Sequence, residues 1–303
     1  MSVVHCRICG AESAATDRGP SELALRHCAQ CSVLFLSADN AEAYADEVEQ
    51  KFFSQMQAGK WEHWLDRQNA RIVLRRIRKL KCKSKLLEIG IGRGSFLREA
   101  ERAGYDCFGI EPSAGLVQSF RSCSSIPIFQ GSLQDFMQTT PQHRFDVIVM
   151  NHVLEHMPDP LTALVQIRSL LTDSGIAHLA VPNIVAWESR FPGWTAYEPY
   201  HLYYFSPSAL YSISERAGFH VIRQDTHEPF SGWTNALIRT LMQRRYRSLR
   251  STGPDAARPK NRALAKTLLE VVRVVGGAVT LPLRHVQAQM RRGEELITIV
   301  SKA

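Results

Sequence analysis

No run of about 18 continuous apolar residues occurs in this 303-residue chain, so the sequence offers no membrane-spanning helix. The nearest approach, Leu268–Leu283, is interrupted by Glu270, Arg273, two glycines and a proline. Such a segment suits a helix lying on a surface better than one crossing it. No secretory leader is readable either, because Met1–His5 runs straight into a cysteine pair without an apolar stretch. A reducing, cytoplasmic location is therefore expected, with peripheral membrane association as the variant. Glycine (18) and proline (14) are too few for a collagen-like or proline-rich chain, and the 45% hydrophobic content excludes a mainly disordered one.

A general excess of one charge is also lacking. Between Glu228 and Arg292 there are 13 Lys/Arg against 3 Asp/Glu, a net of +10. Subtracting these from the totals of 37 and 29 leaves 24 against 26 elsewhere, a net of −2. The basic character belongs to one segment, which argues against a nucleic-acid-binding body.

Seven cysteines are present, four of them as Cys6-x-x-Cys9 and Cys28-x-x-Cys31. Two such turns supply four soft ligands for a tetrahedral ion, and zinc suits them. Four protein ligands leave no open position, so the predicted site is structural and would supply folding energy to a segment with little core. A redox pair or four unrelated thiols are the alternatives. Cys82, Cys107 and Cys123 read as small hydrophobes or surface thiols. Farther on, Trp61, Trp64, Leu65, Ile72, Val73, Ile77 and Leu80 recur at helical spacing. They predict one or two helices that pack on the next domain or cover a cleft.

Lys85–Ile89 is a short apolar strand that runs into Gly90-Ile91-Gly92-Arg93-Gly94-Ser95 and then an apolar helix. Such a turn lets backbone approach a ligand and offers the unpaired N–H groups of a helix start. A second strand, Gly104–Ile110, ends in Glu111, where a carboxylate can accept from ribose hydroxyls. Further strands are predicted at Ile126–Phe129, Phe145–Met150, Gly175–Val181, Phe219–Arg223 and Glu295–Val300, the last as the antiparallel edge.

The Gly-x-Gly-x-Gly turn after Glu88, and the run Asn151-His-Val-Leu-Glu-His156-Met-Pro-Asp-Pro160, resemble the small-molecule branch of class I S-adenosylmethionine-dependent methyltransferases. The resemblance spans about Lys85 to Asp225 plus the last strand. It implies an α/β, Rossmann-like seven-stranded sheet with a small N-terminal zinc-binding module and a helical insert before the last strand. The organisation it suggests is 1–36 zinc module, 37–84 helical linker or lid, 85–225 cofactor core, 226–292 basic insert and 293–303 final strand. It assigns cofactor binding to Glu88, Gly90, Gly92, Gly94, Glu111, Ser132, Leu133 and Asn151. Two relatives are excluded, since neither an Asn/Asp-Pro-Pro-Tyr/Phe tetrad nor a cysteine follows the fourth strand.

Trp194, Tyr197, Tyr200 and Tyr203 follow the fifth strand and are the predicted acceptor wall, with His201 as general base and His152 as its competitor. The Tyr-His-Leu-Tyr-Tyr-Phe-Ser run also resembles sugar C-methyltransferases, which carry a four-cysteine zinc module and a loop histidine as base. Those enzymes continue into a second α/β domain that has no counterpart here, so the sugar does not carry over. The expected activity is O-methylation of a small or lipid-linked acceptor by a monomer or homodimer. C- or N-methylation of a sugar or natural-product intermediate, and RNA modification, are the alternatives.

Overall fold

A computed structural model of the chain describes residues 4–36, 60–82, 84–140, 142–198, 200–229, 232–250, 272 and 274–303. Tyr44, Phe52 and Phe53 of the expected 37–84 linker, and residues 251–271 and 273 of the expected insert, lie outside these residues.

The N-terminal module consists of four short strands, β1 (Val4–His5), β2 (Glu12–Ala15), β3 (Arg26–His27) and β4 (Leu34–Phe35). Each pairs antiparallel with the next. The first cysteine turn closes through Gly10 N–H donating to the Cys6 carbonyl at 2.8 Å. Gly10 has φ +74°, which favours glycine there.

Helix α1 (Lys60–Arg78) leads into the main body. Its Ala70, Val73, Leu74 and Ile77 pack on Phe96, Leu97 and Ala100 of helix α2 (Ser95–Arg102). Strands β5 (Lys85–Ile89), β6 (Asp106–Glu111), β7 (Ile128–Gln130), β8 (Phe145–Asn151) and β9 (Leu171–Pro182) are mutually parallel. Helices α3 (Ala114–Arg121), α4 (Leu133–Thr139) and α5 (Pro160–Leu170) connect them. β8 is buried across its four central apolar residues, as a strand covered on both faces must be.

After β9 come β10 (Tyr203–Tyr204), helix α6 (Pro207–Arg216), β11 (Phe219–His227), the insert helices α7 (Gly232–Arg250) and α8 (Leu281–Gln289), and β12 (Glu295–Lys302). The seven-stranded order is β11-β12-β9-β8-β5-β6-β7. The last strand is antiparallel as expected, but it is not an edge. β12 enters between β9 and β11, pairing with both, and its Leu296–Val300 run is buried. Short-range alternation cannot distinguish an edge strand from one whose partners were laid down almost seventy and more than a hundred residues earlier.

β10 does not join this sheet. It pairs with β4, Tyr203 opposite Phe35 and Tyr204 opposite Leu34, and so extends the module into a five-stranded sheet with a strand from the main body. Leu36 N–H donates to the Leu202 carbonyl and Ser206 Oγ to that of Ser32, which completes the seam.

The insert is fastened by buried carboxyls. Gln287 of α8 donates to Glu188 at 2.8 Å, and the Glu294 N–H donates to Glu228 at 2.8 Å. Trp194 and Thr195 both donate to the Glu294 carboxylate. Burial, with Glu188 and Glu294 nearby, pushes the Glu228 carboxyl up to about 10. A carboxyl whose folded value is raised costs stability as pH climbs from its ordinary value near 4.5 toward 10. Glu228→Gln copies the protonated form. It should raise stability on the order of 3 kcal/mol at pH 8, with the gain vanishing near pH 5. Coincident melting curves at pH 8 would contradict this account.

No helix among the described residues is long and apolar enough to cross a membrane.

Candidate active site

The turn after β5 holds Gly90, Gly92 and Gly94 at φ +73°, +52° and +68°. A side chain at Gly94 would strike the Phe120 ring, whereas at Gly92 nothing lies within 4 Å. The first closeness seats α2 on α3, and the second leaves backbone facing open space. Glu111 ties the turn from behind. Its carboxylate accepts from the N–H groups of Gly92 (3.1 Å) and Ser113 (3.0 Å). Burial raises it, with both hydrogen bonds opposing.

In front of the turn is a cleft of about 330 Å³. One wall comes from β5 and the turn (Glu88, Gly90, Gly92), a second from α1 (Asp66, Asn69, Arg76), and the far end from Asn151, His152, His227 and Glu295. Helix α1 thus serves both expected roles, packing on α2 and covering the cleft. The Arg93 guanidinium, donating to Asp66 at 2.9 Å, pins it to the glycine turn.

Glu88 is buried with one carboxylate oxygen unpartnered, and burial followed by Glu111 holds its carboxyl well above the ordinary range. The amide oxygen of Asn151 is likewise buried and unpartnered. Both atoms stand in the cleft lining without a protein partner, as expected where a ligand supplies one.

Four assigned residues do not line the cleft. Gly94 and Glu111 stand behind the turn. Ser132 caps α4 in a reciprocal arrangement with Asp135, which occupies its hydroxyl, and Leu133 is buried in the core.

The far end centres on Glu295, at the start of β12. His152 Nε2 lies 3.0 Å from its carboxylate, and Nδ1 lies 3.4 Å from that of Glu155. Burial opposes charge on the imidazole, but the two carboxylates outweigh it and hold His152 well above its ordinary value. Glu295 falls to about 2: burial works against that, and the His152 hydrogen bond and charges of His152, His227 and His178 overcome it. With Nε2 bonded to Glu295 and Nδ1 facing Glu155, His152 is held between two carboxylates that favour its charged form. Its φ of +54° is sparsely populated for a non-glycine residue, a cost typical of functional positions.

His227 is different. It sits opposite Glu295 in the β11–β12 register and lines the same cleft. Burial lowers it below 6.5, so it is neutral at pH 7. No hydrogen bond to its ring occurs among the described residues. Arg76, reaching in from α1, has one buried guanidinium nitrogen without a partner.

His201 is not in this cleft. Its Nδ1–H donates to the Ala196 carbonyl at 2.7 Å, and its ring lies 4.8 Å from that of His156. Burial pushes it down to about 3. The expected acceptor wall is also displaced. Trp194, Tyr197 and Tyr203 are buried at 0%, 5% and 1% exposure. Tyr197 donates to the Ser189 carbonyl and Tyr203 to that of Pro158, while half-buried Tyr200 stacks on His156. These aromatics fill the seam between module and main body. The run Tyr203-Tyr204-Phe205 is a strand with alternating sides, and that period was the available signal. Arg76, His227 and Glu295 went unread because no local motif marks them.

In the module, the four sulfurs of Cys6, Cys9, Cys28 and Cys31 all lie within 4.8 Å of one another. Cys6–Cys31 is 3.5 Å and Cys9–Cys28 is 3.4 Å. A disulfide needs about 2.05 Å, so these are separate thiols. A tetrahedron with Zn–S near 2.3 Å has edges of about 3.8 Å, close to what is seen. The donor set fits such an ion.

Residues 61–224 match the model of a methyltransferase domain family. The chain belongs to that family. This methyltransferase is 32% identical over 107 residues to a ubiquinone biosynthesis O-methyltransferase from Actinobacillus pleuropneumoniae, covering 33% of this chain and 46% of that protein. It is 30% identical over 119 residues to one from Rhodopseudomonas palustris, covering 36% and 45%. The chain thus spans less than half the length of these curated relatives. Among solved structures, a SAM-dependent methyltransferase from Archaeoglobus fulgidus superposes with a TM-score of 0.50 at 18% identity, covering 78% of this chain and 94% of that one. That likeness is one of fold.

Proposed function

We propose that this methyltransferase moves a methyl group from S-adenosylmethionine to a hydroxyl oxygen of a small-molecule acceptor, with His227 taking the proton. The observation that carries the reading is a histidine in the same cleft as the glycine turn whose ring has no hydrogen bond among the described residues. The O-methyltransferase relatives support oxygen as the acceptor atom. The cofactor, when bound, supplies an electrophilic methyl on a sulfonium. The chain's part is to offer the Gly92 backbone and the Glu88 carboxyl along one wall. Asn151 lines the far end of the cleft, and His152, held by Glu155 and Glu295, keeps a positive charge there. His227 then accepts the hydroxyl proton as the oxygen attacks. We further propose zinc as the ion of the four-cysteine site.

The test is a titration of S-adenosylmethionine, followed by demethylated-cofactor release over a panel of hydroxylated small molecules. His227→Ala should bind the cofactor as before and lose roughly 100-fold or more in turnover. Since the base works when neutral and titrates below 6.5, the wild-type rate should climb through mildly acidic pH and be level from 7 to 8. Absence of cofactor binding would end the whole reading. Cofactor binding with unimpaired His227→Ala turnover would end the role of the histidine.

A further inference from the structure

A second cavity, of about 370 Å³, opens where the cysteine module meets the main body. Three segments remote in sequence build it: the module loop Asp17–Gly19, the stretch after β9 from Ile184 to Tyr197, and Arg292 in the turn before β12. None of its lining residues belongs to the cofactor cleft. Gly19 is seated against the Tyr197 ring, where an added Cβ would lie 3.0 Å from a ring carbon, so the module loop is docked in place.

Three arginines, Arg18, Arg190 and Arg292, line this cavity with one acid, Asp17. Three positive charges against one negative leave a net of +2. Arg292 is oriented by donating to the Val185 carbonyl at 3.2 Å. No side-chain hydrogen bond or ion pair of Arg18 or Arg190 occurs among the described residues. Like charges gathered around one cavity repel each other, and a multiply charged anion relieves that cost. A single carboxylate would leave positive charge over, whereas a phosphate or diphosphate carries two or more negative charges on oxygens matched to guanidinium forks. Phe191 and Tyr197 give the cavity an apolar side for the organic part of such a ligand.

We propose that this cavity binds a phosphate-bearing group, with Arg18, Arg190 and Arg292 as its ligands. The module then has a task beyond its own fold, since it contributes Arg18 to the site.

Calorimetric titration with inorganic pyrophosphate tests this on the full chain. The wild type should bind one equivalent saturably, and Arg18→Ala/Arg190→Ala should bind at least tenfold more weakly. A control pair, Arg75→Ala/Arg216→Ala, removes the same charge from elsewhere on the surface and should bind as the wild type does. Cosedimentation with phosphatidic acid vesicles, but not phosphatidylcholine vesicles, competed by pyrophosphate, would assign the phosphate to a lipid headgroup. Soluble binding without cosedimentation would assign it to a free phosphate ester. No saturable binding by the wild type, or equal weakening in both pairs, would overturn the proposal. S-adenosylmethionine affinity in the same variants should stay unchanged, which separates this result from the methyl-transfer reading.

Discussion

A protein with Cys6→Ser and Cys28→Ser is expected to lose its metal and to acquire a separate, low-temperature unfolding step. The module's buried apolar residues, among them Leu25, Val33, Leu34 and Phe35, join clusters shared with the main body and form none of their own, so an ion at its centre would supply much of its local stability. Structural zinc in small peptides contributes roughly 10–16 kcal/mol of apparent binding energy at neutral pH. The consequence should reach past residue 36. β4 pairs with β10, so an unfolded module strips Tyr203 and Tyr204 of their partners and bares the aromatic seam. Phe205, which bridges to Asn183 at the end of β9, follows directly. Metal analysis should give one zinc per wild-type chain and near none in the variant, and calorimetry should resolve two transitions instead of one. A wild type free of metal when freshly purified, or a variant melting like the wild type, would refute the structural role.

Glu111→Ala should be the most damaging single change at the cofactor cleft. The carboxylate is buried and holds Gly92 and Ser113 by two charge-assisted hydrogen bonds. Each such bond contributes about 1.5–3 kcal/mol, and its loss also leaves a backbone N–H in need of a partner. Gly92 sits in the left-handed region, and a Cβ placed on it would meet nothing within 4 Å, so packing does not restrain it and the carboxylate does. S-adenosylmethionine affinity should fall about 100-fold or more, read by titration, with a smaller drop in melting temperature. Glu111→Gln keeps one acceptor oxygen and should lie between the two. An alanine variant with wild-type affinity would show that the turn holds itself.

Most strands of the main sheet were readable because they are apolar runs bounded by turn residues, and the crossover helices have their own period. The near half of the cleft was readable for a related reason: Glu88, Gly90 and Gly92 sit in or beside a strand that carries a motif, as Asn151 does at the far end. The far half was not. Glu295 meets His152 only because β12 is threaded between β9 and β11, and Arg76 arrives from a helix that precedes the sheet. Register between distant strands leaves no trace in local spacing. His201 shows the opposite error. Aromatic density in a loop after the fifth strand suggests a ligand wall, yet the same density serves to bury a joint between two bodies, and burial has made that histidine a neutral packing residue.

The position of β12 also has a bearing on how the chain is made. β11 cannot join the sheet until β12 has been laid against β9, and β12 follows it in synthesis by almost seventy residues. A nascent chain halted within the insert would carry the exposed edge of β9, an open template for pairing with another chain. It would also lack Glu295, the carboxylate at the far end of the cleft that holds His152. Assembly of the sheet and of the reaction centre therefore finishes in one late, long-range step, which should be slow compared with closure of the parallel core. A ribosome stalled before that point would display a folded glycine turn and no working cleft.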